Sequence, residues 1–315
     1  MKGKVGLVLA GGGGKGAYHI GVWKALNEYG ISDNIGAVSG TSVGALNAAL
    51  FSQGDYRIAE TIWSNIEPNQ ILSLDASKYL QSLKPNPMFA SLTKHLLKFV
   101  TKAAKIGVFS RSGMLEIINQ YVNIKYISKS MIPCYATCCE LPLCKPTYFP
   151  LQGETEKNII SILLATSALP FVFEPEEIKG SLYVDGGIKE NIPIDPLYKD
   201  GYRNIIVVHC NPDELISFDS YPDANIIEIV PSQSIGRLVD GTLDFTKTGS
   251  IRRMNQGYED AVKILQPIYE MGQINNRQLL AFSSFMKNEK AFYDKRREII
   301  KTRQTLRSEI DDLLR

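Results

Sequence analysis

Short continuous apolar runs alternate along this chain with stretches in which apolar residues recur every three or four positions. Lys4 to Ala10 is a run of the first kind, the pattern of a buried strand. Ala17 to Tyr29 is of the second kind, with Ile20, Val22, Trp23, Leu26 and Tyr29 on one helical face and Gly30 placed to end it. A further apolar run reaches Ala37-Val38-Ser39, passes through Gly40-Thr41-Ser42-Val43-Gly44 and continues as Ala45-Leu46-Asn47-Ala48-Ala49-Leu50, so a strand turns abruptly into a helix. Tyr56 to Ser73 reads as helical and then irregular, and Lys84-Pro85-Asn86-Pro87 marks a loop. Helices are expected at Ser112 to Tyr121, Asn158 to Thr166 and Ile251 to Ile264. Strands are expected at Met131 to Glu140, around Thr147 to Leu151, at Ser181 to Val184, at Asn204 to Cys210 and, as the last of the sheet, at Asn225 to Val230.

Two segments carry apolar faces mixed with positive charge. Met88 to Ile106 interleaves Met88, Phe89, Leu92, Leu96, Leu97, Phe99, Val100 and Ile106 with Lys94, His95, Lys98, Lys102 and Lys105, a basic amphipathic helix or helix pair. It suits a core-facing helix with solvated lysines, and also a peripheral contact with an anionic lipid surface. Arg277 to Arg315 is a long charged helical stretch in which Lys287 to Arg307 holds eight basic residues against three acidic ones. It could dock on the domain, pair with a second chain or rest on a membrane.

The chain has 315 residues, 44% hydrophobic and 22% charged, which suits a sizeable core. A net charge of +2 does not mark a nucleic-acid binder, and no partner of that kind is expected. No apolar run approaches the roughly 18 residues of a membrane-spanning helix. The basic start at Met1-Lys2-Gly3-Lys4 mimics a short signal peptide, but its apolar run leads straight into a glycine cluster and is read as the first strand. Five cysteines, an odd number, argue against a complete disulfide framework and for a cytoplasmic setting. Cys134, Cys138, Cys139 and Cys144 crowd together without a CxxC spacing, and adjacent residues of a strand point to opposite faces. Buried free thiols are expected there, with neither a metal nor a cofactor.

The chemistry centres on Ser42. Gly40-x-Ser42-x-Gly44 matches the nucleophile-elbow pattern, in which glycines two before and two after the serine allow a tight strand-to-helix turn. Ser42 would project at a helix N-terminus, where free N–H groups favour negative charge. A tight turn with a capping serine is the plainer alternative. Gly11-Gly12-Gly13-Gly14-Lys15-Gly16 follows the first strand and can supply unobstructed N–H groups to an oxyanion. Gly11, Gly13 and Gly16 also satisfy a dinucleotide-binding pattern, although the next strand leads into the serine elbow and not to an acidic residue. A P-loop fails because Gly16 stands where Ser or Thr is required. Asp185-Gly186-Gly187 ends a strand and would expose a carboxylate at the sheet edge, or form a simple Asp-Gly turn. Ser42, Asp185 and His209 fall in the chain order of an α/β-hydrolase triad, but only two strands precede Ser42, and structural roles are expected for His19, His95 and His209.

With these three motifs in order, and with Ala168-Leu169-Pro170, Asn191 and Pro193 around them, the chain resembles the patatin-like phospholipase family of acyl hydrolases over roughly residues 5 to 265. Lys15 stands where that family carries a basic residue. The resemblance implies a three-layer α/β/α fold with a mostly parallel central sheet, a hydrolase domain over residues 1–270 and a helical extension over 271–315. It implies a serine–aspartate dyad in which Ser42 attacks an ester carbonyl and Asp185 takes its proton. N–H groups of Gly11, Gly12, Gly13 and Gly14 would hold the oxyanion, with Lys15, Gly16, Gly40, Gly44, Gly186 and Gly187 as supporting motif positions. The implied substrate is a phospholipid or lysophospholipid, met in the cytoplasm or at a membrane surface, and an oligomer is compatible with it. The alternative is a catalytically silent module that binds lipid or nucleotide through Gly11–Gly16.

Overall fold

Ten strands and nine α-helices are found among the described residues, which in this computed structural model are 5–67, 73–74, 109–110, 112–170, 173–273 and 278–313. In chain order they are β1 (Val5–Leu9), α1 (Ala17–Glu28), β2 (Ile35–Thr41), α2 (Val43–Gln53), α3 (Tyr56–Asn65), β3 (Ser73–Leu74), β4 (Phe109–Ser110), α4 (Ser112–Tyr121), α5 (Ile124–Lys129), β5 (Cys134–Glu140) and β6 (Lys145–Pro150). They continue with α6 (Glu156–Thr166), β7 (Glu176–Ile178), β8 (Ser181–Asp185), α7 (Asp195–Lys199), β9 (Asn204–Val208), β10 (Asn225–Ile229), α8 (Lys247–Gln273) and α9 (Gln278–Leu313). The basic segment Met88 to Ile106, its His95 and the loop Lys84 to Pro87 lie outside the described residues.

The sheet runs β10-β9-β1-β2-β5-β8-β7, with β6 beside β5, and the first five of these strands are mutually parallel. Alternation sorts the central strands between two faces: Leu7 and Leu9 join the larger core under α1, α2, α3 and α6, while Val8, Val207 and Ile226 join a smaller one with Ile194 and Leu197 near α7. The strand edges at β1, β2, β9 and β10 point their carboxyl ends the same way, which places the loops after β1 and β2 side by side.

The register at β5 decides the rest. β6 lines one flank of β5 along its whole length, from Tyr135 opposite Pro150 to Glu140 opposite Lys145. The other flank is shared: β2 occupies it in parallel up to Thr41 opposite Thr137, and β8 occupies it antiparallel from Asp185 opposite Cys138. β2 and β8 therefore meet head to head, and their C-terminal residues arrive at adjacent positions of β5.

α8 runs from Lys247 to Gln273 with Pro267 inside it, well beyond the expected Ile251–Ile264. Gly257 lets it approach α1 closely, since a side chain there would overlap the Tyr18 carbonyl. The long helix α9 docks one of its faces on the domain. Tyr293 and Ile300 are buried, the Tyr293 hydroxyl donates to Glu228 O (2.8 Å) and accepts from Glu228 N–H (3.0 Å), and Arg296 Nη2 donates to Pro212 O (2.6 Å). Phe292, Ile299, Leu306 and Ile310 are exposed on α9. Tyr293→Phe removes both bonds to buried β10 backbone groups, with an expected loss of about 1–3 kcal/mol. A fall in the chemical denaturation midpoint at unchanged helical content checks this, and an unchanged midpoint would deny the contact.

Candidate active site

Ser42 sits at the turn between β2 and α2 with φ +56° and ψ −128°, a conformation that a non-glycine residue holds only when its surroundings enforce it. The enforcement is visible. A side chain at Gly40 would overlap the Gly44 backbone, and one at Gly44 would overlap the Leu9 carbonyl, so β1, β2 and α2 approach too closely for anything but glycine. The Ser42 N–H donates to Thr166 Oγ1 at 3.0 Å, and the Thr166 hydroxyl donates in turn to Thr137 O of β5. The elbow is thus tied to the same strand that receives Asp185.

The Ser42 hydroxyl donates to Asp185 Oδ2 at 2.7 Å, while Asp185 Oδ1 accepts the Gly187 N–H at 2.7 Å. Both carboxylate oxygens are therefore oriented, one by the serine and the other by backbone. Asp185 is only 4% exposed. Burial pushes its pKa up to about 6, against the opposing pull of the hydrogen bonds from Ser42 and Gly187. The loop that follows is anchored to β2 by Thr41 Oγ1 donating to Glu190 O (2.9 Å) and Ser39 Oγ donating to Pro193 O (2.6 Å).

The glycine loop lies beside the elbow, and its members differ. The Gly11 N–H is committed to Asn191 O at 3.2 Å, so Gly11 cannot offer it to an oxyanion. The N–H groups of Gly12, Gly13 and Gly14 have no hydrogen-bond partner among the described residues, and Gly13 lines the cavity beside Ser42. Gly16 closes the tight turn that starts α1. Asn191 spans from this loop to its neighbour: its Nδ2 donates to Gly11 O (3.3 Å) and to both carboxylate oxygens of Glu214 (2.8 and 2.9 Å).

None of the described histidines joins the pair. His209 is buried with Nε2 2.7 Å from Glu228 Oε2, and Arg296 Nη1 lies 3.6 Å from the same oxygen. His19 is also buried, which lowers its pKa to about 3. Its Nδ1 lies 3.1 Å from Asn47 Nδ2 and its Nε2 3.1 Å from Cys210 Sγ. Cys138 and Cys139 point their sulfurs to Ile162 O and Cys144 O respectively, as expected of neighbours on one strand.

A cavity of about 130 Å³ opens at Ser42. Gly13, Ser42 and Asp185 form its polar end, and Leu46, Leu50, Ile62, Trp63, Met114 and Ile118 supply much of the apolar lining. Phe173, Leu243 and Phe245 close it from other segments. An apolar cavity ending at a serine–carboxylate pair suits a molecule with a long apolar arm and one reactive polar group. Thr166 and the Leu243–Phe245 wall escaped the sequence reading. Thr166 bonds to backbone groups brought close only by the fold, and Leu243 and Phe245 belong to no periodic pattern.

The family model for patatin, described as patatin-like phospholipase, matches residues 7–198. Lysophospholipase NTE1 of Cryptococcus neoformans is 27% identical over 221 residues, covering 70% of this chain and 12% of that protein. An uncharacterized NTE family protein of Mycobacterium tuberculosis is 28% identical over 212 residues, covering 67% of this chain and 50% of that protein. The chain thus spans half or less of the length of these curated relatives. VipD from Legionella pneumophila superposes with a TM-score of 0.49 at 15% identity, covering 85% of this chain and 67% of that one.

The carboxyl of Asp185 should titrate near 6, observable by carbon NMR of protein labelled at aspartate. Ser42→Ala removes a donor that favours the ionised form, so the pKa should rise further. An ordinary value near 3.9 in the unmodified protein would contradict the buried geometry.

Proposed function

Because this chain belongs to the patatin-like phospholipase family, as the match over residues 7–198 establishes, we propose that it hydrolyses a carboxylic ester of a phospholipid or lysophospholipid through an acyl-serine intermediate. The observation that carries this reading is the 2.7 Å bond from Ser42 to a buried Asp185 at the mouth of an apolar cavity. Ser42 Oγ attacks the ester carbonyl as its proton passes to Asp185 Oδ2, and the carbonyl oxygen becomes an anion. The N–H groups of Gly12, Gly13 and Gly14, which have no partner among the described residues, are the donors proposed to hold that anion, each worth about 3 kcal/mol in the transition state. Collapse of the adduct breaks the bond to the leaving alcohol, which takes the proton from Asp185. Water then gives a proton to the same carboxylate and attacks the acyl-serine, releasing the fatty acid and restoring Ser42.

The basicity of Asp185 fits this work. A carboxylate with an ordinary pKa near 3.9 is a feeble base toward a hydroxyl, whereas one raised to about 6 is a better base and still mostly ionised at neutral pH. The acyl chain would lie in the cavity, with the head group toward solvent. Peripheral contact with a lipid surface is proposed through the exposed Phe292, Ile299, Leu306 and Ile310 of α9, beside Lys295 and Arg303. No described helix is long and apolar enough to cross a membrane.

On mixed phospholipid vesicles, Ser42→Ala and Asp185→Asn should each lower fatty-acid release by about 10⁴-fold or more, with the fold intact by circular dichroism. Because the base must be ionised, kcat/KM should fall about tenfold per pH unit below about 6 and level off above it. Full activity in either variant would refute the dyad. Absence of both turnover and fluorophosphonate labelling of Ser42 in the unmodified protein would favour a silent lipid-binding module.

A further inference from the structure

The family match ends at residue 198, yet one wall of the cavity is built by chain well beyond it. Between β10 and α8 the segment 235–245 folds back over the glycine loop. It contains a single wide turn of π-helix, Leu238–Thr242, closed by Thr242 N–H to Arg237 O (2.8 Å) and Leu243 N–H to Leu238 O (2.9 Å). Thr242, Leu243 and Phe245 face the cavity, and Phe245 stacks on Trp63 of α3 with ring centroids 6.3 Å apart. The segment also rests directly on the glycine loop. A side chain at Gly13 would overlap Thr242 O, and one at Gly14 would overlap Asp244 O.

One residue fastens this arrangement. Arg253, on α8, is fully buried, and its five N–H donors meet five acceptors. Nε donates to Ile235 O (3.0 Å), Nη1 to Asp244 O (2.9 Å) and Gly14 O (3.5 Å), and Nη2 to Asp240 O (2.7 Å) and Asp244 Oδ2 (2.7 Å). Four of the five hold the segment and the fifth reaches the glycine loop. Lysine could not reproduce the fork, because an ammonium is a single point with no planar geometry.

We propose that the segment 235–245 is the acyl-chain selectivity element of this site, and that Arg253 is the positioning residue that locks it to the loop carrying the oxyanion donors. The proposal rests on the hydrolase reading for its substrate, since it takes the cavity as the place of the acyl chain. Side chains along that wall set how far an acyl chain can reach from Ser42. The clamp ties the wall to Gly14, so a wall that shifts also disturbs the donors beside Ser42. Arg253 touches no substrate and acts only through the segment and the glycine loop it holds.

The test compares kcat/KM for p-nitrophenyl dodecanoate and p-nitrophenyl butanoate in the unmodified protein, Leu243→Trp and Arg253→Lys. Leu243→Trp fills the wall side of the cavity and should lower the dodecanoate-to-butanoate ratio about tenfold or more. Arg253→Lys should change the same ratio as well as lower kcat, while circular dichroism shows a folded protein. A purely structural arginine would lower both esters in parallel, and parallel behaviour in both variants overturns the proposal. If Arg253→Lys does not fold, the Leu243→Trp ratio decides. Displacement of cis-parinaric acid by saturated fatty acids from octanoic to octadecanoic needs no turnover. An unmodified protein that hydrolyses neither ester leaves the hydrolase reading to the vesicle and fluorophosphonate assays, and the displacement series decides this one: a preference shifted to shorter acids in Leu243→Trp supports it, and an unshifted preference or no binding overturns it.

Discussion

The site depends on two strands colliding on one flank of a third. β2 runs up β5 as far as Thr137, β8 runs down it as far as Cys138, and their ends carry Thr41-Ser42 and Asp185. No loop has to be ordered to bring the two side chains together, because ladder hydrogen bonds set both positions. Thr166 reinforces the junction, with one hydroxyl that bonds both the Ser42 N–H and the Thr137 carbonyl. Strain at Ser42 is held by the same crowding: β1, β2 and α2 approach where Gly40 and Gly44 have no side chains, and Ser42 has no freedom to relax.

That rigidity bears on how the proposed serine–aspartate pair would work without an imidazole. In a serine–histidine pair the third group orients the base. Here the proposed base, Asp185, is oriented by the chain itself, through the Gly187 N–H two residues on, and its pKa is a balance between burial and the two bonds it accepts. The two described histidines are employed elsewhere, His209 beside Glu228 and His19 between Asn47 and Cys210, both within the packed interior.

What could be read from the sequence was what local steric chemistry dictates. The strand–elbow–helix around Ser42, the glycine loop and the carboxylate at the end of β8 each demand glycine at fixed offsets, and such demands leave marks in a linear pattern. Arg253 left none: it follows Arg252 on a helix and looks like half of a solvated pair, while four of its five partners are backbone carbonyls supplied by tertiary folding. The commitment of Gly11 to Asn191 was hidden for the same reason. Proline and glycine hid the true length of α8, because Pro267 lies inside a helix that continues to Gln273. The tail was ambiguous because α9 carries more than one apolar face, and only the fold selects Tyr293 and Ile300 for burial.

The Tyr293 hydroxyl meets both polar groups of one residue on β10, the outermost strand of its side of the sheet. An outermost strand with free donors and acceptors is a template on which a strand of another molecule can add. By filling one rung of that ladder with a side chain, α9 breaks the template at Glu228. Removal of this helix would therefore bare the N–H and C=O of Glu228 on an outermost strand, the position from which a sheet extends.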